Sequence, residues 1–170
     1  MQLTPGQRKA AQAAAAAAAI AAAVPGAMQV AKPWEGLVLG TYYDPPGILT
    51  ACRGHTGPDV VKGTRYTLDQ CNRWFDADMH KAVAIVEKCV PGAPQGILIA
   101  FGDAVYNMGP AIACDQKRST AARLLARGEY AAACNQLPRW NKTKIAGILI
   151  TLKGLTNRRL DEKNVCLKGL

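Results

Sequence analysis

The sequence predicts an α+β protein that is mainly α-helical, with a small β-hairpin lobe, a long connecting helix and a larger helical lobe. Glycines, prolines and β-branched residues are concentrated in residues 39–55, which is typical of short hairpins. Apolar residues recur at three- and four-residue spacing over residues 68–86, as on one face of an amphipathic helix. The 170 residues are enough for one domain with a sizeable core.

The predicted elements follow in chain order. Pro45-Pro46-Gly47 predicts a turn within the hairpin lobe. Thr67 and Gln70 have the spacing of a capping box, so the long helix is expected to begin there and to end before Pro91. The nearly continuous apolar residues of 94–107 predict a buried core helix. Four shorter helices are predicted: residues 120–127 ended by Gly128, 129–137 ended by Pro138, 142–153, and 157–168 capped by Thr156.

Charge and cysteine content restrict the class of protein. The 21 cationic and 12 anionic side chains give a net charge of +9, which suits nucleic acid, an acidic membrane surface or the anionic bacterial wall. The six cysteines are scattered without a C-x-x-C pair, and neither histidine has zinc-like spacing with them. This pattern favours disulfides formed in an oxidising compartment, with no metal or cofactor. Reduced, buried thiols in a cytosolic enzyme are the alternative.

The N-terminal residues 1–31 form a separate segment, followed by a globular domain over 32–170. Arg8 and Lys9 precede 22 uncharged residues, 10–31, which as a helix would span about 33 Å, roughly one bilayer core. The preceding basic residues are expected to keep the start in the cytoplasm, so that the domain lies outside. Fourteen of the 22 residues are alanine, and Pro25-Gly26 is expected to interrupt the segment, so it predicts a weak anchor. A signal peptide cleaved near Gly26 or Ala27 and a soluble alanine-rich helix are the alternatives.

One motif carries most of the functional information. Residues 35–57 read EGLVLGTYYDPPGILTACRGHTG, which resembles the signature E-G-x-x-L-x-x-Y-x-D-x-x-G-x-x-T-x-G-x-G-H-T of the phage-type lysozymes of glycoside hydrolase family 24. Ten positions match at fixed spacing. Tyr106-Asn107-Met108-Gly109 resembles the F-N-V-G element of that family, and Gly154-Leu155 with Arg158-Arg159 resembles its G-L-x-x-R-R element. Together with the weak anchor, the chain resembles the signal-anchor-release endolysins of phages that infect Gram-negative bacteria.

The resemblance implies a phage-type lysozyme fold and cleavage of the β-1,4 bond between N-acetylmuramic acid and N-acetylglucosamine in peptidoglycan. It assigns Glu35 as the general acid and Asp44 and Thr50 as the groups that orient the nucleophilic water, with inversion at the anomeric carbon. The chemistry agrees, because glycoside hydrolysis needs one protonated carboxyl and a second group that holds water. Trp34, Gly36 and Leu37 are expected to give Glu35 an apolar setting that raises its pKa.

Other residues are assigned lesser roles. The resemblance implies that His55 is a structural hydrogen-bonding residue behind the acid, and Asn107 is expected to line the saccharide cleft. The chain departs from the signature at Cys52, where the family has glycine, and at Arg53, where it usually has an aromatic or small residue. A cysteine must therefore adopt whatever backbone conformation a glycine allows at position 52.

Three disulfides are expected. Cys71 and Cys89 lie 18 residues apart on the long helix, about 27 Å at 1.5 Å per residue, so they cannot pair with each other. The suggested pairs are Cys52 with Cys71, Cys89 with Cys166, and Cys114 with Cys134.

The expected protein is a monomer that contacts peptidoglycan and, through residues 10–31, the host inner membrane. Its catalytic domain is expected on the periplasmic side, inactive while tethered and active after release. The competing classes are a secreted lysozyme with a cleaved signal peptide, a cationic membrane-disrupting protein and a nucleic-acid binder. A membrane disruptor needs a basic amphipathic helix with a clean apolar face, which the sequence lacks. A nucleic-acid binder is expected to be reduced and cytosolic, which disagrees with the cysteines and the anchor.

Overall fold

A computed structural model describes residues 3–44, 47–145 and 148–170 of the chain. The α-helices are α1 Pro5–Ala31, α2 Leu68–Cys89, α3 Gln95–Met108, α4 Ala111–Cys114, α5 Thr120–Ala126, α6 Tyr130–Cys134 and α7 Lys153–Lys168. The strands are β1 Val38–Tyr43, β2 Leu49–Cys52, β3 His55–Thr56, β4 Lys142–Ile145 and β5 Ile148–Thr151, and a 3-10 helix spans Leu137–Arg139. The order of elements confirms the predicted mainly helical α+β class.

Helix α1 is continuous through Pro25 and Gly26, so the expected interruption is wrong. Proline removes one intrahelical hydrogen bond, but Pro25 lies on the exposed side of the helix. Gly26 lies against α3, where an added Cβ would stand 2.8 Å from Ile99 Cδ1. The absence of a side chain at this position therefore allows α1 to approach α3 closely.

The core lies where α1, α2 and α3 meet, and it uses small residues at the crossing. Gly102 of α3 has no room for a side chain, since an added Cβ would lie 2.6 Å from Val83 of α2 and 3.6 Å from Ala27 of α1. The C-terminal half of α1 is part of this core: Ala23, Val24, Ala27 and Ala31 are all buried. Residues 5–15, in contrast, are exposed.

The β lobe is confirmed as a three-stranded antiparallel sheet in the order β1-β2-β3. Tyr42 pairs with Thr50, and Thr50 pairs with Thr56 on its other side. Within the predicted turn, Pro45 and Pro46 lie outside the described residues. Gly47 has a φ of +85°, and its amide donates to the Asp44 carbonyl at 2.8 Å.

The long helix and the core helix are confirmed as α2 and α3. The Thr67 hydroxyl caps α2 by accepting a hydrogen bond from the Gln70 amide at 3.1 Å. The side chain of Gln70 instead accepts from Arg73, so only half of the capping box forms. Helix α5 ends at Ala126, close to the predicted position, and Gly128 follows it with a φ of +72°.

Three of the later predictions are wrong. The helix predicted over 129–137 is the short α6, followed by a 3-10 helix that contains Pro138. Residues 142–153 form the hairpin β4-β5 rather than a helix. Their β-branched residues, such as Thr143 opposite Ile150, favour extended backbone, and residues 148–151 are exposed instead of burying one helical face. Helix α7 begins at Lys153, so Thr156 lies within its first turn and donates to the Leu152 carbonyl.

All six cysteines form disulfides. Cys52 pairs with Cys71 as predicted, with 5.1 Å between their Cα atoms. The other two predicted pairs are wrong, because Cys89 pairs with Cys114 and Cys134 pairs with Cys166. The physical reason is packing: α4 lies against α2, and α6 lies against α7. Each of these two disulfides therefore joins two neighbouring helices, whereas the Cys52–Cys71 disulfide joins β2 to α2.

Candidate active site

Glu35 lies in the short segment that follows the end of α1 at Ala31. The amides of Trp34 and Glu35 donate to the carbonyl of Ala31 at 2.9 and 3.1 Å, which holds this segment against the helix. The side chain of Glu35 is 17% exposed. The conformation of α1 therefore determines where the candidate acid lies.

The setting of Glu35 is not the apolar one expected from its neighbours in sequence. Arg158 of α7 donates from Nη1 to Glu35 Oε1 at 2.6 Å. The same guanidinium binds the fully buried carboxylate of Asp103 on α3 through Nε and Nη2. Burial acts to lower the pKa of Arg158. The hydrogen bond and charge of Asp103, together with the charge of Glu35, outweigh burial and raise this pKa, so the guanidinium stays cationic. One arginine thus connects Glu35 to two helices of the larger lobe.

Sequence reasoning missed Arg158 and Asp103 as site residues. Arg158 belongs to the G-L-x-x-R-R element, whose resemblance to the family was visible without indicating a role. Its neighbour Arg159 is buried, donates a hydrogen bond to Asn107 Oδ1 at 3.0 Å, and forms an ion pair with Glu162 in which Nη2 lies 2.7 Å from Oε1. Burial raises the pKa of Glu162, although the charge of Arg159 acts to lower it. The paired arginines are therefore an internal support for the site.

Asp44 and Thr50 lie at the turn end of the β1-β2 hairpin. Asp44 Oδ1 accepts a hydrogen bond from the Ile48 amide at 2.7 Å, and the buried Thr50 hydroxyl donates to the Ile48 carbonyl at 2.9 Å. Burial raises the pKa of Tyr42, and the charges of Glu35 and Asp44 raise it further. The charges of both carboxylates thus act on Tyr42, whose partner on the neighbouring strand is Thr50.

A cavity of about 470 Å³ adjoins Glu35. Its lining residues come from the segment after α1, from α3 and from the region where α7 begins: Trp34, Glu35, Asn107, Leu152, Lys153, Gly154, Leu155 and Arg158. Asn107 lies in this wall, where sequence reasoning expected a cleft residue. The indole Nε1 of Trp34 is buried there without a protein partner among the described residues.

His55 is enclosed by protein groups. Its Nδ1 lies 2.5 Å from Asp78 Oδ2, its Nε2 lies 3.2 Å from both carboxylate oxygens of Asp59, and its ring stacks on Trp74 at 4.2 Å between centroids. These contacts join β3 to α2. They favour the structural role expected for His55 over a role in which it touches substrate.

The site thus combines a carboxyl beside a cavity with a second carboxylate and a hydroxyl on a neighbouring hairpin, an arrangement suited to glycoside hydrolysis. The sequence profile of the phage lysozyme family matches residues 32–162. The chain belongs to the phage lysozyme family. It is therefore a glycoside hydrolase of the lysozyme type, and its substrate is peptidoglycan.

Individual relatives agree with the family. The chain is 35% identical over 139 residues to a SAR-endolysin of Bacteriophage PS119, covering 79% of this chain and 77% of that protein. It is 32% identical over 136 residues to a SAR-endolysin of Enterobacteria phage P21, covering 79% and 78%. These relatives identify the chain as an endolysin.

Solved structures show the same fold. An endolysin from Escherichia coli O157:H7 phage FAHEc1 superposes with a TM-score of 0.72 and 29% identity, covering 85% of this chain and 92% of that chain. The active form of the P1 phage endolysin Lyz superposes with a TM-score of 0.65 and 26% identity, covering 85% and 84%. The mainly helical lysozyme fold expected from the sequence is thereby confirmed.

Proposed function

We propose that this lysozyme hydrolyses the β-1,4 bond between N-acetylmuramic acid and N-acetylglucosamine, with Glu35 as the general acid and with Asp44 and Thr50 holding the nucleophilic water. The observation that carries the proposal is the position of Glu35, whose partly exposed carboxyl faces a cavity and is held by Arg158. The carboxylate of Asp44 acts on the same tyrosine as Glu35, which supports a shared site.

The geometry suggests how Glu35 transfers a proton. Arg158 binds Oε1, so Oε2 is the oxygen that can carry the proton to the glycosidic oxygen of the leaving sugar. Fixing the carboxyl in one orientation before substrate binds lowers the entropic cost of reaching the transition state. Asp103 holds Arg158 from behind, so the arginine stays in place when Glu35 is neutral.

Asp44 and Thr50 would act on the opposite face of the sugar. A carboxylate and a hydroxyl can together orient one water molecule and accept its proton as it attacks the anomeric carbon. Attack by water on the face opposite to the leaving group inverts the anomeric configuration. The anomer released first, observed by NMR before mutarotation, tests this assignment.

Glu35→Gln tests the acid role most directly. The amide cannot donate a transferable acidic proton, so we expect the variant to lose nearly all muramidase activity with little change in thermal stability. Asp44→Asn and Thr50→Ala are also expected to be severe, and Thr50→Ser, which keeps the hydroxyl, less so. Wall turbidity and turnover of soluble fragments measure the effect.

Glu129→Gln is the matched control, because Glu129 is an exposed glutamate that pairs with Arg127. It is expected to keep wild-type activity. If folded Glu35→Gln keeps more than about a tenth of wild-type turnover, Glu35 is not the acid.

We further propose that α1 is a releasable anchor that first spans the host inner membrane, with the catalytic domain in the periplasm, and then joins the enzyme as a monomer. By length and composition α1 can cross a membrane. Its C-terminal half is also core, through Ala23, Val24, Ala27 and Ala31. These four side chains cannot contact lipid and the core of the enzyme at the same time, and the carbonyl of Ala31 accepts a hydrogen bond from the Glu35 amide. The tethered form would therefore lack an assembled site.

The same packing argues against a cleaved signal peptide. Cleavage near Gly26 or Ala27 would remove Ala23 and Val24, which are 0% and 4% exposed. A mature protein without them would expose core side chains of α3. Mass measurement of the periplasmic protein tests this point, since an N-terminus near residue 27 would contradict the releasable anchor.

A further inference from the structure

A tight turn joins the hairpin to the rest of the β lobe. It consists of Cys52, the last residue of β2, and of Arg53 and Gly54, which connect β2 to β3, and Thr50 lies two residues before it. Cys52 and Gly54 have φ angles of +60° and +89°. The disulfide from Cys52 to Cys71 ties the start of the turn to α2. This disulfide thus fixes the backbone near Thr50 to the long helix α2.

Arg53 connects this turn to the segment of the candidate acid. Its Nη1 donates to the backbone carbonyl of Glu35 at 3.1 Å. Its guanidinium lies over the ring of Phe75, 5.7 Å from the centroid, a contact that favours a cation. The family signature has an aromatic or small residue at this position, and such a residue has no cationic group that could donate a hydrogen bond to the Glu35 carbonyl.

Tyr106 of α3 holds the turn from the other side. Its hydroxyl donates to the carbonyl of Arg53 at 2.5 Å, and its ring packs edge-on against Phe75 at 5.6 Å. Burial raises the pKa of this hydroxyl, and the charge of Glu35 raises it further, so the group keeps its proton and remains a donor. The phenylalanine of the F-N-V-G element lacks that donor.

We infer that Arg53 and Tyr106 are positioning residues for the reaction, which set the distance between the backbone of Glu35 and the strand that carries Thr50. The Arg53 clamp, meaning Arg53, Tyr106 and the Glu35 carbonyl, connects three elements through two hydrogen bonds. Arg158 fixes the carboxyl end of Glu35 from the larger lobe, and the clamp fixes its backbone from the β lobe. Positions 53 and 106 both depart from the family pattern, and the hydrogen bond from Tyr106 to the Arg53 carbonyl joins them. The inference rests on the roles proposed above for Glu35 and Thr50.

The test uses the full-length released enzyme and a soluble peptidoglycan fragment as substrate. Tyr106→Phe removes only the hydroxyl, and Arg53→Met keeps the length and the apolar stem. Each is expected to lower kcat about three- to tenfold, the value of one hydrogen bond, while KM changes less than about twofold. Arg53→Lys, which can still donate to the carbonyl, is expected to recover part of kcat. The double variant is expected to lose less than the product of the two single losses, because both bonds act on one turn.

Tyr66→Phe is the control for general loss of stability. The Tyr66 hydroxyl accepts from the Val61 amide at 2.7 Å and donates to the Asp59 carbonyl at 3.2 Å in the same lobe. This variant is expected to unfold at lower temperature with an unchanged kcat.

The inference is overturned if the clamp variants keep kcat within about twofold of wild type, or if Tyr66→Phe lowers kcat equally. If Tyr106→Phe does not fold, the inference is tested by comparing Arg53→Met with Arg53→Lys. Equal kcat values for these two variants would overturn the inference. Glu35→Gln separates the two proposals: an inactive Glu35→Gln beside fully active clamp variants rejects the clamp alone. An active Glu35→Gln rejects the catalytic assignment.

Discussion

At the scale of single residues, Cys52 shows how the chain meets a backbone requirement without glycine. Its φ of +60° lies in the left-handed region, and among the described non-glycine residues Cys52 alone has a positive φ. A side chain in this region costs about 1–2 kcal/mol relative to the right-handed one. The family signature has glycine at this position, so the sequence already indicated that a cysteine must adopt a glycine-like conformation.

This cost predicts a difference between two disulfide-free variants. Cys52→Gly with Cys71→Ala is expected to be about 1 kcal/mol more stable than Cys52→Ala with Cys71→Ala, because glycine adopts the turn without strain. Denaturant unfolding of both proteins measures it, and the shared Cys71→Ala change cancels the loss of the disulfide. Equal stabilities would show that position 52 does not keep its positive φ once the disulfide is absent.

At the scale of elements, α1 has two halves with different surroundings. Ala14, Ala17, Ala18 and Ala21 are exposed in the folded enzyme. Leucine at these four positions adds hydrophobicity without filling space in the core, and each leucine gains more from lipid than alanine does. We expect such a variant to remain in the membrane fraction and to delay lysis.

Serine at the same four positions is the opposing control and is expected to advance release. Collapse of the membrane potential is expected to hasten release of the wild type. The measurements are membrane fractionation and the time of lysis in culture. Leucine-substituted protein that is released and lyses cells on the wild-type schedule would contradict the anchor.

At the scale of the whole molecule, the larger lobe is complete only with the second half of α1. A protein of residues 19–170 keeps Ala23, Val24, Ala27 and Ala31 and is expected to unfold within a few degrees of the full chain. A protein of residues 32–170 exposes the surfaces of α2 and α3 that those residues cover. Its expected loss is on the order of 5 kcal/mol, a large part of the stability of a typical domain.

Thermal unfolding and muramidase activity of both proteins, refolded with oxidised disulfides, check this prediction. The longer protein is the matched control, because the described residues that it lacks, 3–18, are largely exposed. If 32–170 is as stable and as active as 19–170, the packing of α1 contributes nothing to the enzyme.

The sequence by itself determined the features that depend on local spacing. The periodicity of apolar residues identified α2 and α3, the uncharged tract identified α1, and the motif at 35–57 singled out Glu35, Asp44 and Thr50. Only the tertiary structure decided which cysteines pair beyond Cys52 and Cys71, because Cys114 and Cys134 lie on short helices whose neighbours depend on packing.

The hairpin β4-β5 also could not be predicted from local sequence patterns. The spacing of apolar residues is helical at Ile145, Ile148, Leu149 and Leu152, although β-branched residues around them favour strands. The contact of Glu35 with Arg158 joins residues 123 positions apart, and that of Arg158 with Asp103 joins residues 55 apart. Local sequence patterns indicate only the interactions of residues that are close to each other in the chain. Contacts between distant segments exist only after the helices have packed, so the support of Glu35 by Arg158 and Asp103 is a property of the folded chain.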